Sequence, residues 1–344
     1  MRIRRTFPLV LAVVIVAAAV FLAVQLRKHA PPEPARLLPG ADAFFYLNLS
    51  WVRKANAGNP LPQVIHEPEY EQFIQQTGFD FERDLDSVAV AAHYPPNRPG
   101  GGNGASEPEP RFSEVITGRF DGSKVSAYLK QQATAIDDYE SVEIYSIPIS
   151  NRTLRVAILS VDSIAASNHN DAAVIRGIVD RSRRLASPFG GPAMLRRYYK
   201  QVQFSSPAWL MARIDPSNPE FGGWHDFLAK PADVVVSLAY NPLHLPGRAG
   251  TFRLRAEALA GSSDDAHKLT DKLNTFLAIS RSAESSIGTQ GTDGDVKAVF
   301  DSLQVRQEED HAVLTATIPL SFVHKLLSEP APPSAPEPAP PPRR

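Results

Sequence analysis

From Phe7 to Leu26 the chain reads FPLVLAVVIVAAAVFLAVQL, 20 residues in which Gln25 is the one side chain that is not apolar. At about 1.5 Å rise per residue such a helix is roughly 30 Å long, the thickness of a bilayer core. Leu, Ile, Val and Phe supply most of the run, and their insertion gains on the order of 4 to 8 kcal/mol. The rival reading is a cleaved signal peptide, with Arg2, Arg4 and Arg5 as its basic start and Ala17 to Ala19 as its small-residue site. That site falls mid-run, with Val20, Phe21, Leu22, Val24 and Leu26 still to come, which favours an anchor that stays attached. Arg2, Arg4 and Arg5 place the N-terminus inside, so residues 1–6 are expected in the cytoplasm, 7–26 across the membrane and the body outside, in the periplasm.

The first 28 residues hold five basic groups and no acid. Removing those five from 36 leaves 31 basic residues against 37 acidic, a balance of −6 for the rest. A mildly acidic body argues against nucleic acid, whose phosphates require a net basic face. The chain has no Cys, so disulfides, thiolate metal sites and thiol nucleophiles are excluded. With 43% hydrophobic and 21% charged residues, the composition is that of a folded protein.

Proline divides the body, because it joins neither a ladder nor a helix interior. Of 31 prolines, 17 fall in Pro31 to Pro39, Pro95 to Pro110 and Pro330 to Pro342. These segments read as a stalk (27–39), a Gly/Pro loop (95–111) and a Pro-rich disordered tail (329–344). Between them a pattern recurs. AFFYLNLS from Ala43 lies alongside AWLMARID from Ala208, VAVAAHYPP from Val88 alongside VVVSLAYNP from Val234, and FSEVITGRF from Phe112 alongside FRLRAEALA from Phe252. Each third strand runs into a capped helix, starting at Asp121 or Ser123 in one case and at Ser262 or Ser263 in the other. A hairpin and a closing helix follow: Val142–Ile149 with Leu154–Val161 and a helix from Asp171 capped by Asn170, then Leu303–Gln307 with Ala312–Ile318 and a helix from Leu320. The expected fold is α+β in two similar halves, 40–185 and 206–328, joined by a linker at 186–205. Each half is expected to be a mainly antiparallel sheet with helices packed on one face.

No motif names a reaction. Asp80, Glu82, Asp84 and Asp86 alternate, but a calcium loop counted from Asp80 needs Gly and Glu where Leu85 and Ala91 stand. The histidines never fall at metal-ligand spacing, and neither G-x-S-x-G nor S-x-x-K occurs. Catalytic, cofactor and metal residues are therefore expected to be none. One stretch could meet an anionic surface: Arg181, Arg184, Arg196, Arg197, Tyr198, Tyr199 and Lys200 place cations beside aromatics on an otherwise acidic body. The competing account is structural, since Arg181 and Arg184 end a helix, where cations favourably meet the dipole.

Leu38-Pro39 shortly before Asp42, Tyr46-Leu47-Asn48-Leu49, and VAILSVDS before NDAAVIRGIVD together resemble a group of bacterial extracytoplasmic proteins known as a domain of unknown function. The likeness spans Leu37 to Leu327. It implies an envelope location and brings no catalytic residues. The expected role is a non-enzymatic binding or scaffolding module. It would touch membrane lipid through the N-terminal helix, with an envelope protein or an anionic polymer as candidate partners. The alternatives are a hydrolase with its site in a cleft between the halves, and a carrier of a hydrophobic ligand.

Overall fold

The computed structural model describes residues 30–55, 67–94, 110–150, 152–183, 190–218, 223, 226–241, 250–287 and 294–328. The run 7–26, most of the Gly/Pro loop, the tail and Arg184 lie outside them, and no helix among the described residues is long and apolar enough to cross a membrane.

In chain order the first elements are α1 (Glu33–Leu37), β1 (Ala43–Asn48), α2 (Leu49–Ala55), α3 (Pro68–Thr77), α4 (Phe81–Asp84), β2 (Leu85–His93), β3 (Arg111–Gly118) and α5 (Gly122–Gln132). Four strands follow, β4 (Ala135–Tyr139), β5 (Val142–Ile149), β6 (Arg152–Ser160) and β7 (Ser163–Ser167), then α6 (Ala173–Arg183) and α7 (Ala193–Tyr198). The rest is β8 (Ala208–Ile214), β9 (Ala232–Asn241), β10 (Thr251–Leu259), α8 (Ser263–Ile287), α9 (Gly294–Ser302), β11 (Gln304–Glu308), β12 (His311–Pro319) and α10 (Leu320–Ser328).

The strands form a single antiparallel sheet of 12, in the order β11-β12-β10-β9-β8-β1-β2-β3-β7-β6-β5-β4. A separate sheet for each half is thus not what forms. β1 and β8 pair directly, from Ala43 opposite Ala212 to Leu47 opposite Ala208, with Tyr46 and Trp209 stacked at 5.6 Å across the seam. The cause is legible in β1: AFFYL is apolar in both phases, and a strand apolar on both faces is costly to leave at an edge.

Helices cover both faces rather than one. On the first face Phe44, Tyr46, Ala89, Ala91, Val115, Trp209 and Met211 are buried beneath Ile175, Ile178 and Val179 of α6, Leu195 and Tyr198 of α7, and Ala35 and Leu37 of α1. On the opposite face α5 sets Val125 and Leu129 over Tyr145, Val156, Ile164 and Ala166. Farther along that face α8 sets Leu269 over Val234, Ala232 and Ala312.

Two segments read from proline as connectors are parts of the core. Within 27–39, α1 carries Pro34 in its first turn, where a missing N–H costs nothing, and buries Ala35, Leu37 and Leu38. Within 186–205, Pro192 precedes α7, whose Met194, Leu195 and Tyr198 make a one-turn apolar stripe. Gly191 has φ +103, and a Cβ there would lie 3.2 Å from Arg36 Cα, so glycine lets this turn seat against α1.

The cap of α5 is Asp121, whose Oδ1 accepts from the N–H groups of Ser123 and Lys124. That of α6 is Asp171, accepting from Ala173 N–H at 2.8 Å, in place of Asn170. Three of the four alternating acids have a local duty. Asp80 caps α4, buried Asp84 accepts from Arg83, and Asp86 pairs with Arg53.

Candidate functional site

Because side chains alternate across a strand, the register defines rows that cross the sheet. One row runs through all 12 strands on the α5/α8 face: Ile136, Tyr145, Val156, Ala166, Glu114, Val90, Phe45, Leu210, Val236, Ala256, Leu314 and Val305. Eleven are apolar and one is a carboxylic acid. The rows on either side are apolar over the central strands, with Ile116, Val88, Leu47, Ala208 and Leu238 in one and Phe112, Ala92, Ala43, Ala212 and Val234 in the other.

The middle of this surface has no helix packed over it among the described residues. Phe45 is 39% exposed, Leu210 38% and Phe112 44%, whereas Phe44 and Met211, one residue away on the other face, are 1% and 0%. The hydrophobic contacts of α5 lie over β3, β5, β6 and β7, and the cluster under α8 takes in β9, β10, β12 and the Ile214 end of β8, so β2, β1 and the rest of β8 floor a trough between them. Three strand spacings separate Glu114 from Leu210, about 14 Å. Aromatic residues stand at the two ends. Tyr94 packs on Ala43, Ala92 and Ala212. Trp51 of α2 meets Tyr240 at 4.9 Å and Phe252 at 5.4 Å.

Glu114 sits between Val90 and Ala166 in the central row. It has no hydrogen-bond or ion-pair partner among the described residues, and burial raises its carboxyl pKa. A carboxyl group in apolar surroundings is driven toward its neutral form. In that form it can donate to an oxygen acceptor, while the ionised form would favour a cationic group. His93 shares the phase of Ala89 and Ala91 and so lies on the opposite face.

The sequence held a signal for Glu114. In FSEVITG, Phe112, Glu114 and Ile116 share a phase, so an acid interrupts an apolar stripe. The pairing that sets Val90, Phe45 and Leu210 beside it comes from residues far apart in the chain and had no such signal.

The residues expected to form an anionic-surface patch are dispersed. Arg181 is turned inward, its Nε donating to Leu37 O at 2.6 Å, and burial lowers its pKa. Tyr198 is buried, donates to Asp233, and is pushed up to about 12 by desolvation and that carboxylate. Tyr199 packs edge-on against Trp209 at 5.6 Å, and burial pushes it up to about 12. Arg196, Arg197 and Lys200 are exposed, with Arg197 lying over the Tyr198 ring, and Arg184 is outside the described residues. The aromatic members thus belong to the core. The spacing that looked like a binding stripe is the i, i+1, i+4 stripe of a short buried helix.

On the first face His93 and His169 meet edge to face at 5.1 Å, and His93 Nε2 and His169 Nδ1 are buried without a hydrogen-bond partner among the described residues. Burial, then the neighbouring His169, lowers the pKa of His93 from its ordinary 6.5. For a base lowered in this way, the stabilising contribution is full above pH about 6.5 and declines as pH falls toward the folded-state pKa. Urea midpoints are therefore expected to drop between pH 8 and pH 5, and His93→Leu is expected to flatten that drop. An unchanged slope in the variant would assign the acid sensitivity to other groups.

No family model matches the chain, and no curated protein matches it in sequence. Among solved structures the chain is similar to crystal form III of TP0453, with TM-score 0.41 and 10% identity over 87% of this chain and 98% of that one, and to crystal form IV, with TM-score 0.40 and 10% identity over the same shares.

Proposed function

We propose that this protein is a membrane-tethered binding module whose central trough holds the apolar part of a lipid-like molecule, with Glu114 meeting an oxygen-rich head. The observation that carries the reading is the half-exposed central row: Val90, Phe45 and Leu210 side by side, with one acid at its end that has no partner among the described residues. Fully burying a Phe or Leu contributes about 1.5 to 3 kcal/mol, so covering what remains exposed of Phe45 and Leu210 adds on the order of 1 kcal/mol each. A hydrophobic run at 7–26 would keep the body next to its most abundant apolar ligand. In this reading residues 1–6 are cytoplasmic, and the body, from 30 onward, is periplasmic. Protease that digests the body only from the cytoplasmic side would overturn that orientation. The hydrolase alternative has no support at the trough among the described residues, where Glu114 has no hydrogen-bonded partner that could act with it.

We also read the chain as two related halves. Outward from the β1/β8 seam the order is β2, β3 on one side and β9, β10 on the other. Each series continues into a hairpin, β7-β6 or β12-β11, that is followed by a closing helix. On this reading β4 and β5 are an added hairpin. Leu303–Gln307 then corresponds to β6 rather than to Val142–Ile149.

The test is photolabelling of the full chain in membranes with a diazirine-bearing fatty acid, followed by peptide mapping. Label is expected in the peptides holding Phe45, Val90 and Leu210 as well as in 7–26. In Phe45→Arg/Leu210→Arg the label should leave the sheet peptides and persist in 7–26. Label confined to 7–26 in the unsubstituted chain would end the lipid-binding reading.

A further inference from the structure

Beyond the region packed by α6 and α7, the first face of the sheet turns polar toward the Arg253 end of β10 and the strands beside it. Arg253 and Arg255 of β10 stand beside Thr317 and Thr315 of β12, with Gln304 and Arg306 next along on β11. Together they floor a concavity of about 450 Å³, walled by Gln203 and Ser302. Both walls are pinned. Gln203 Nε2 donates to the carbonyls of Ser237 and Arg253, and the Ser302 hydroxyl accepts from Thr317 N–H at 2.8 Å.

In a body with more acids than bases, this lining has three arginines and no acid. Arg253 is exposed and has no protein acceptor among the described residues. Arg255 is held by Glu257 through Nε at 2.6 Å and by Glu308 through Nη2 at 2.7 Å, which fixes the guanidinium and leaves Nη1 unengaged. Arg306 donates to Gln304 Oε1 at 2.7 Å and keeps its other donors. The hydroxyls of Thr315 and Thr317 have no partner among the described residues. Guanidinium forks flanked by hydroxyl donors suit a compact anion that presents several oxygens.

We infer that this basin binds a small multi-oxygen anion of the phosphate type, taken either free from solution or as the headgroup of an anionic lipid. The inference is independent of the trough, which lies on the opposite face. Its test uses the full chain in nanodiscs of zwitterionic lipid, titrated with inorganic pyrophosphate by calorimetry. Saturable binding is expected. Arg253→Glu should weaken it by about tenfold or more, as loss of charge-assisted hydrogen bonds requires. Arg253→Gln should weaken it less, with unfolding transitions showing that both variants fold. Arg196→Glu/Arg197→Glu, outside the basin, should leave affinity unchanged. A second arm adds vesicles of phosphatidylglycerol or of phosphatidylcholine. Arg253-dependent capture of the former alone points to a headgroup, and pyrophosphate binding without vesicle capture points to a free anion. Absence of pyrophosphate binding, or equal affinity in Arg253→Glu, would overturn the site.

Discussion

Glu114→Leu is expected to make the protein more stable at neutral pH and to impair its hold on a polar-headed apolar ligand. A carboxyl without a partner in an apolar row is a desolvation cost to the fold, of about 1 to 3 kcal/mol for a polar group left unsatisfied. Leucine removes that cost and continues the row between Val90 and Ala166. The pH dependence identifies the cause. Burial raises the Glu114 pKa, so between the unfolded value and the folded one the native state binds more protons. Stability therefore falls as pH rises through that window and is level above it. In Glu114→Leu this fall should be absent, and the gain over the unsubstituted chain should be largest above the folded-state pKa and smaller below the unfolded one, where only the cost of the neutral unsatisfied carboxyl remains. Urea unfolding from pH 4 to 8 measures both features. A variant less stable at pH 7, or one with the same pH slope, would mean that Glu114 is well satisfied in the fold. A variant more stable yet labelled as strongly by a diazirine fatty acid would keep the trough and remove Glu114 from recognition.

Such a trade of stability for a site is expected at functional positions, where a local rule is broken that the rest of the chain obeys. The strands bear this out. AFFYLN and VVVSLAY announce themselves by aromatic and β-branched content and FRLRAEAL by its apolar/polar alternation, and the corresponding strands span Ala43–Asn48, Ala232–Asn241 and Thr251–Leu259. The capped helix at Asp121 was equally legible, because a side-chain cap is a local bond between near neighbours. What escaped is non-local or chemically plain. β4, AIDDY, carries two acids, and β7, SIAAS, is made of small residues, so neither has the composition of a strand. Each is a strand because a neighbour offers it a ladder. The single sheet was hidden for the same reason, since the β1/β8 pairing joins residues more than 160 positions apart. Glu114 was visible as an acid out of phase, but its companions in the row could be named only once the register was known.

Leu195→Ala provides the second large effect, and it decides what the proline-flanked segment before β8 is. A flexible linker would tolerate the change within about 0.5 kcal/mol, as exposed sites do. Here Leu195 is 0% exposed in the cluster that holds Phe44, Ile175, Ile178 and Met211, and α7 is tied down again where Tyr198 donates to Asp233 of β9. Truncating a buried leucine removes its transfer free energy and leaves a cavity that close-packed neighbours fill only in part, a loss of about 2 to 5 kcal/mol. Arg196→Ala, next in the chain and exposed, should change stability by less than about 0.5 kcal/mol. The contrast between adjacent residues is the signature of a docked helix, and a tether would erase it. Because α7 covers the seam where β1 meets β8, the loss should appear in the single global transition rather than as early fraying of one segment. A large drop for Leu195→Ala with the Trp209 fluorescence transition shifted equally would place α7 in the cooperative core, and a separate low-temperature step would make it an appendage.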